Sequence, residues 1–71
     1  MKKYGNLGHD SGIAGYEIGP EALIIQFKDG NVYTYSNNKA GKQHVDHMKD
    51  LARLGKGLNT YLNKYVKDRH D

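Results

Sequence analysis

The 71-residue chain contains no cysteine, no tryptophan and one proline. Without cysteine, a disulfide scaffold, a thiolate zinc site and a cysteine nucleophile are all excluded. Small secreted domains usually depend on disulfides, so we expect a cytoplasmic protein. The length is that of a single domain, whose core is too small to enclose a deep active site as well.

Long hydrophobic runs are also missing. The longest run of large apolar side chains covers residues 23–25, far short of the ~18 residues that a membrane-spanning helix needs. No apolar segment follows the basic residues Lys2 and Lys3, as it would in a signal peptide. We therefore expect no membrane partner.

The formal charge of +3 is unevenly distributed along the chain. Residues 1–38 carry three lysines against four acidic residues, whereas residues 39–71 carry eight basic residues against four acidic ones. The second segment therefore has a formal charge of +4. A partner that recognises charge is expected to bind this half of the molecule.

The apolar pattern between residues 12 and 36 has a period of two, which is typical of half-buried strands. Turn residues interrupt it at Gly19-Pro20 and again at residues 28–30. The pattern predicts a meander of three short antiparallel strands. Residues 1–11, rich in glycine and polar types, are predicted to be a loose lead-in to one domain over residues 12–71.

The hairpin between the second and third predicted strands has two conceivable registers, because the turn can contain two or three residues. A three-residue loop over residues 28–30 ends in a glycine, which accepts a positive φ at no steric cost. That loop pairs Ile25 with Tyr33 and Leu23 with Tyr35, and it places the largest side chains on one face. Burial therefore favours the three-residue loop, with a bulge at its glycine.

From about Ala40 the apolar period changes to three and four residues, which predicts a helix that ends at the glycines of residues 55–57. A second amphipathic helix follows at once. Its apolar stripe comprises Leu58, Tyr61, Leu62, Tyr65 and Val66. The predicted fold is α+β: a three-stranded antiparallel β-meander followed by two helices packed on one face, in the order β-β-β-α-α.

Two segments of the chain resemble a known family. Residues 23–35 read Leu-x-Ile-x-Phe-x-x-Gly-x-x-Tyr-x-Tyr, and residues 57–63 read Gly-Leu-Asn-Thr-Tyr-Leu-Asn. Together they resemble the KTSC domain, a module named for the C-terminal end of some lysyl-tRNA synthetases that also occurs as short bacterial and phage proteins. The family often has a phenylalanine where this chain has Leu62. The resemblance covers about residues 13–69 and implies this fold and, by association with the synthetase, RNA.

Tyr33 and Tyr35 lie two residues apart on one strand, where aromatic rings can stack nucleic-acid bases. The alternative is that they form the wall of the core with their hydroxyls at the rim. Because two amphipathic helices are available to cover this face, we favour the core interpretation.

His44 and His47 are three residues apart on the first predicted helix, a spacing at which two imidazoles can share a metal ion. No His-Glu-x-x-His pattern accompanies them. The favoured alternative is an exposed helix face with ion pairs Lys42–Asp46 and Asp50–Arg53. We predict no metal site and no cofactor.

The last helix and the residues on either side of it are expected to present a basic polar surface. Its members are Arg53, Lys56, Asn59, Asn63, Lys64, Lys67 and Arg69. Lysine and arginine neutralise phosphates, and asparagine amides position sugars or phosphates. The alternative is an ordinary solvated face. No serine or threonine has an evident His–acid pair, so we predict no catalytic residue.

The sequence therefore predicts a small non-enzymatic binding module that contacts RNA or another polyanion through its basic helical surface. The alternative is a protein-interaction or structural module, with a homodimer formed through the sheet face that the helices leave open. That face is predicted to carry Ile24, Gln26, Val32 and Thr34.

Overall fold

The computed structural model describes residues 1–5, 7 and 12–70. In this part of the chain, four antiparallel strands form one sheet in the order β1-β2-β3-β4. The strands are β1 (Lys2–Lys3), β2 (Ile13–Ile18), β3 (Ala22–Phe27) and β4 (Val32–Ser36). Of the lead-in predicted over residues 1–11, Asn6 and residues 8–11 lie outside the described residues.

The prediction of three strands is wrong by one, because the N-terminal residues add β1 to the sheet. Lys2 lies opposite Tyr16, and Lys3 lies opposite Gly15. Two adjacent lysines have no apolar alternation, so the period-two pattern could not reveal this strand. Tyr4, which follows β1, is only 3% exposed and belongs to the core.

The predicted register of the β3–β4 hairpin is confirmed. Ile25 lies opposite Tyr33, and Leu23 lies opposite Tyr35. Gly30 closes the loop with a φ of 97°, a left-handed conformation that glycine adopts without a steric penalty. The large side chains of both strands consequently face the same side of the sheet.

Helical segments fill the second half of the chain. They are a π-helical turn (Asn37–Gly41), α1 (Lys42–Leu54), α2 (Leu58–Tyr61) and a π-helical continuation of α2 (Leu62–Val66). We call α2 and its continuation the C-terminal helix. As predicted, α1 ends at Gly55, which has a φ of 86° and donates its N–H to the Leu51 carbonyl. No helix in the described part of the chain is long and apolar enough to cross a membrane.

One core lies between the sheet and the helices, as expected of an α+β fold. Its largest fully buried side chains come from both layers: Ile13, Leu23, Ile25, Val45, Met48, Leu58 and Val66. Within the stripe predicted for the last helix, Leu62 is also buried, whereas Tyr65 is 48% exposed. The buried part of the stripe is therefore narrower than predicted: both tyrosines contact His44 of α1, and Tyr61 packs against the core while only partly buried.

Candidate nucleic-acid interface

The charges on the exposed side of α1 largely neutralise one another. Lys42 Nζ lies 2.6 Å from the Asp46 carboxylate, and Arg53 lies 3.2 Å from that of Asp50. The predicted pairs are thus confirmed. The hydrogen bond from Lys42 lowers the pKa of Asp46 below its usual value. Because the pairs are exposed, their main consequence is that α1 adds little net charge to the basic half.

Lys49 is a cation that the sequence pattern did not assign to the interior. Its side chain is buried among the core-facing residues of α1, and its Nζ donates a hydrogen bond of 2.9 Å to the Gly19 carbonyl. The aliphatic stem packs while the ammonium group reaches the turn after β2. Arg53 is thus paired with a carboxylate on α1. Four further basic residues follow it in the chain: Lys56, Lys64, Lys67 and Arg69.

A groove runs between the hairpin and the C-terminal helix. Asn59, Asn63 and Lys67 line its helical side, and Tyr33 and Tyr35 line its sheet side. The three polar residues are spaced four apart in sequence, so they lie along one face of the helix. The structure therefore joins two features that the sequence presents separately, the strand tyrosines and part of the basic polar surface.

The two tyrosines of the groove differ in burial. Tyr35 is 3% exposed and belongs to the core, and its burial, more than its proximity to Tyr33, raises the pKa of its phenol. Tyr33 is only partly buried and makes an edge-on contact with Phe27, with 5.5 Å between ring centroids. The core interpretation therefore holds for Tyr35, whereas Tyr33 keeps part of its surface accessible.

A second aromatic ring already lies on the tyrosines. The centroid of His70 is 4.4 Å from that of Tyr33 and 6.0 Å from that of Tyr35. The geometry shows that a planar ring fits against Tyr33 at the mouth of the groove. Asp68 also lines the groove, and its carboxylate offsets part of the positive charge of Lys67.

The remaining predicted surface residues lie elsewhere. Arg53 lines a separate cleft beside β1 and β2. Lys64 lies over the ring of Tyr65, with its Nζ 5.4 Å from the centroid. Lys56 and Arg69 are exposed. Of the seven residues of the predicted surface, Asn59, Asn63 and Lys67 thus line the groove, and the other four do not.

His44 and His47 face the C-terminal helix. His44 is half-buried, with its Nδ1 2.7 Å from the Tyr61 hydroxyl oxygen, and His47 stacks on Tyr61 with 4.7 Å between centroids. Of the two histidines, only His47 is exposed as predicted. His44 is partly covered because Tyr61 lies against it. Among the described residues, no group of three His, Asp or Glu side chains could hold a metal ion.

No family model, curated protein or solved structure matches this chain. The resemblance to the KTSC domain rests on the motif residues alone and stays a prediction. Function is therefore inferred from the chemistry of the groove.

The side chains of the groove offer three kinds of contact. The Lys67 ammonium group attracts phosphate, the amides of Asn59 and Asn63 both donate and accept hydrogen bonds, and the face of Tyr33 stacks on planar rings. A small apolar metabolite would use few of these groups. A nucleotide chain would use all of them.

Proposed function

We propose that this protein is a non-enzymatic binding module for RNA, and that the RNA lies in the groove between the hairpin and the C-terminal helix. The observation that carries the proposal is that Lys67, Asn63 and Tyr33 line the same groove. These side chains supply the phosphate, polar and stacking contacts on which RNA recognition depends.

The distribution of charge supports this assignment. On α1, Lys42 and Arg53 are paired with carboxylates, and Lys49 bonds to a backbone carbonyl. Four further basic residues, Lys56, Lys64, Lys67 and Arg69, follow α1, and among the described residues none of them forms an ion pair. A polyanion is attracted to this side of the molecule over distances of about a Debye length, ~10 Å at 0.1 M salt.

Single-stranded RNA fits the groove better than a duplex does. In an A-form duplex the base faces are stacked, and the major-groove edges lie in a deep, narrow groove that side chains cannot read. A base that took the place of His70 against the Tyr33 ring would have to be unstacked to do so. We therefore expect preference for unpaired RNA.

Fluorescence anisotropy with a labelled single-stranded RNA tests the proposal. Binding should weaken steeply between about 50 and about 200 mM salt, because phosphate contacts release counterions. Lys67→Gln should lower the slope of log affinity against log salt by about one. Lys42→Gln, which removes the same charge outside the groove, is the matched control and should leave that slope nearly unchanged.

A Tyr33→Leu variant tests the stacking contact. Loss of one stacked base should weaken binding by about 1–3 kcal/mol at constant salt, without changing the salt slope. Circular dichroism of the variant establishes that the fold is retained. Absence of binding at about 50 mM salt, or equal effects of the Lys67 and Lys42 variants, would contradict the proposal.

A protein-interaction module is the second candidate, and it is favoured by an exposed apolar residue on the open face of the sheet. Val32 is 52% exposed and lies opposite Gln26 on that face. Ile24 lies on the same face, one pleat away. Self-association that disappears in an Ile24→Lys variant would favour this candidate over RNA binding.

A further inference from the structure

A histidine that follows the C-terminal helix lies on the ring to which base stacking is assigned above. The centroid of the His70 ring is 4.4 Å from that of Tyr33, with 41° between the ring planes. It lies edge-on to Tyr35, with 6.0 Å between centroids. The same histidine lines the groove together with Asn63 and Lys67. His70 therefore occupies the position in which a base would stack on Tyr33.

The space between the two rings is too small for a third ring. Carbon atoms in stacked rings make their best contact about 3.5–4.0 Å apart. A base held between His70 and Tyr33 would separate the two rings by about twice that spacing, or about 7 Å, whereas their centroids are 4.4 Å apart. A base can therefore stack on this face of Tyr33 only when His70 has moved away.

Of the two described rings that contact Tyr33, His70 is the one that is free of the sheet. Phe27 lies 5.5 Å from Tyr33 between centroids, and it belongs to strand β3. His70 is only partly buried and lies outside every helix and strand of the described chain. The buried apolar core of the described residues ends at Val66. Moving His70 therefore leaves the core in place, and such segments open at low free energies.

The backbone just before His70 is tied to the end of the C-terminal helix. The Arg69 N–H donates a hydrogen bond of 2.7 Å to the Val66 carbonyl. Rotation about the torsions of His70 itself can displace its ring without breaking this bond, and side-chain rotations at exposed positions take picoseconds to nanoseconds. Lys67, which precedes the bonded Arg69, therefore keeps its place in the groove while the ring moves.

We propose that His70 competes with RNA for Tyr33: its ring covers the stacking surface, and a base binds there only by displacing it. The competition rests on the RNA-binding function proposed above and makes that binding self-inhibited. The affinity of a protein whose binding-competent state is only fractionally populated is reduced by that fraction. One aromatic pair is sufficient to shift such an equilibrium at least about twofold. Since Tyr33 and Tyr35 are not the only groups that hold His70, this factor is a lower bound.

Fluorescence anisotropy with a labelled single-stranded RNA of mixed sequence, at about 50 mM salt, measures the inhibition. His70→Ala should lower the dissociation constant at least about twofold relative to the wild type. His70→Phe keeps a planar ring and should bind no more tightly than the wild type. His47→Ala is the matched control, because His47 stacks on Tyr61 outside the groove, and it should leave the dissociation constant unchanged.

Nuclear magnetic resonance of the wild type follows the displacement without any substitution, so a variant that folds poorly does not limit the test. Nuclear Overhauser contacts between the ring protons of His70 and Tyr33 should be present in the protein alone and absent when the protein is saturated with the same RNA. The corresponding contacts between His47 and Tyr61, whose centroids are 4.7 Å apart, should persist at saturation. They provide the internal control.

Three outcomes would overturn the competition while leaving RNA binding itself intact. In the first, the wild type binds RNA and His70→Ala binds it no more tightly. In the second, His70→Phe gains as much affinity as His70→Ala, so that the ring is not the cause. In the third, the His70–Tyr33 contact persists at saturation. Failure of both the wild type and His70→Ala to bind RNA would instead overturn the proposed function, and the competition with it.

Discussion

His44 on α1 and Tyr61 on the C-terminal helix are joined by a hydrogen bond of 2.7 Å between Nδ1 and the phenol oxygen. His47 stacks on the same tyrosine, and Tyr65 lies 4.6 Å from it between centroids. The C-terminal helix is therefore held against α1 by a polar and aromatic cluster as well as by its apolar stripe.

Tyr61→Phe should lower the free energy of unfolding by about 1 kcal/mol, because it removes the hydrogen bond to His44 and keeps the ring contacts. Urea denaturation measures the change. Tyr65→Phe is the matched control, since Tyr65 is exposed and should change the stability much less. Equal losses in the two variants would show that the hydrogen bond contributes nothing.

Stability should fall in alkaline solution as the phenols of Tyr35 and Tyr61 ionise. Burial raises the pKa of Tyr35, and desolvation raises that of Tyr61. A raised pKa in the folded state means that the folded chain holds the proton more tightly than the unfolded chain. The contribution is therefore complete below about pH 10, the unfolded value, and is lost as the pH rises through the folded pKa.

A Tyr35→Phe variant isolates one phenol in this dependence. Its free energy of unfolding should decline less steeply above about pH 10 than that of the wild type. Urea denaturation at neutral pH, where both chains have neutral rings at this position, provides the reference. Identical alkaline slopes in the two proteins would contradict the assignment.

Lys49→Met should destabilise the protein by about 1–2 kcal/mol, because it removes a charge-assisted hydrogen bond to the Gly19 carbonyl while keeping the buried stem. Lys42→Met on the same helix is the control. Lys42 is exposed, so its replacement should have a much smaller effect in urea denaturation. A Lys49→Met protein as stable as the wild type would mean that packing of the stem alone matters.

Tyr4→Phe should lower the free energy of unfolding by about 1–3 kcal/mol, because the hydroxyl accepts a buried hydrogen bond at the start of α2. The donor is the Leu58 N–H, 3.3 Å away. The preceding Gly57 has no side chain that could cap the helix. Thermal unfolding measured by circular dichroism checks the loss, and an unchanged midpoint would exclude this capping role.

Gly55→Ala should destabilise the protein by at least about 1–2 kcal/mol, since a φ of 86° is strained for alanine. Its Cβ would also lie 3.3 Å from the Gly5 Cα. Gly12→Ala is the control, because a Cβ there would meet no atom within 4 Å. Comparable losses at Gly55 and Gly12 would show that glycine is not specifically required at the end of α1.

Much of the fold follows from local pattern. Period-two alternation and the glycine of the hairpin loop are sufficient to predict the β3–β4 register, because a shift by one residue would turn Tyr33 and Tyr35 to the face opposite Leu23 and Ile25. β1 is not predictable in this way. Its two lysines carry no pattern, and its place in the sheet depends on Tyr4, whose partner Leu58 is remote in sequence.

The candidate site is likewise predictable from local pattern only in part. Helical periodicity alone places Asn59, Asn63 and Lys67 on one face, because residues four apart share a side of a helix. It does not reveal that Tyr33 lies across from them, since that contact depends on how the helix crosses the hairpin. Nor does helical periodicity reveal that Arg53 lies outside the groove.

The sequence by itself determined the types of the longer elements, the hairpin register, the C-terminal end of α1 and the basic charge of the second half. These depend on neighbouring residues, through periodicity, glycine conformation and charge count. Only the tertiary structure decided that Lys49 is buried, that His44 bonds to Tyr61 and that the strand tyrosines share a groove with Lys67. Each depends on the packing of elements that are distant in the chain, which no local pattern encodes.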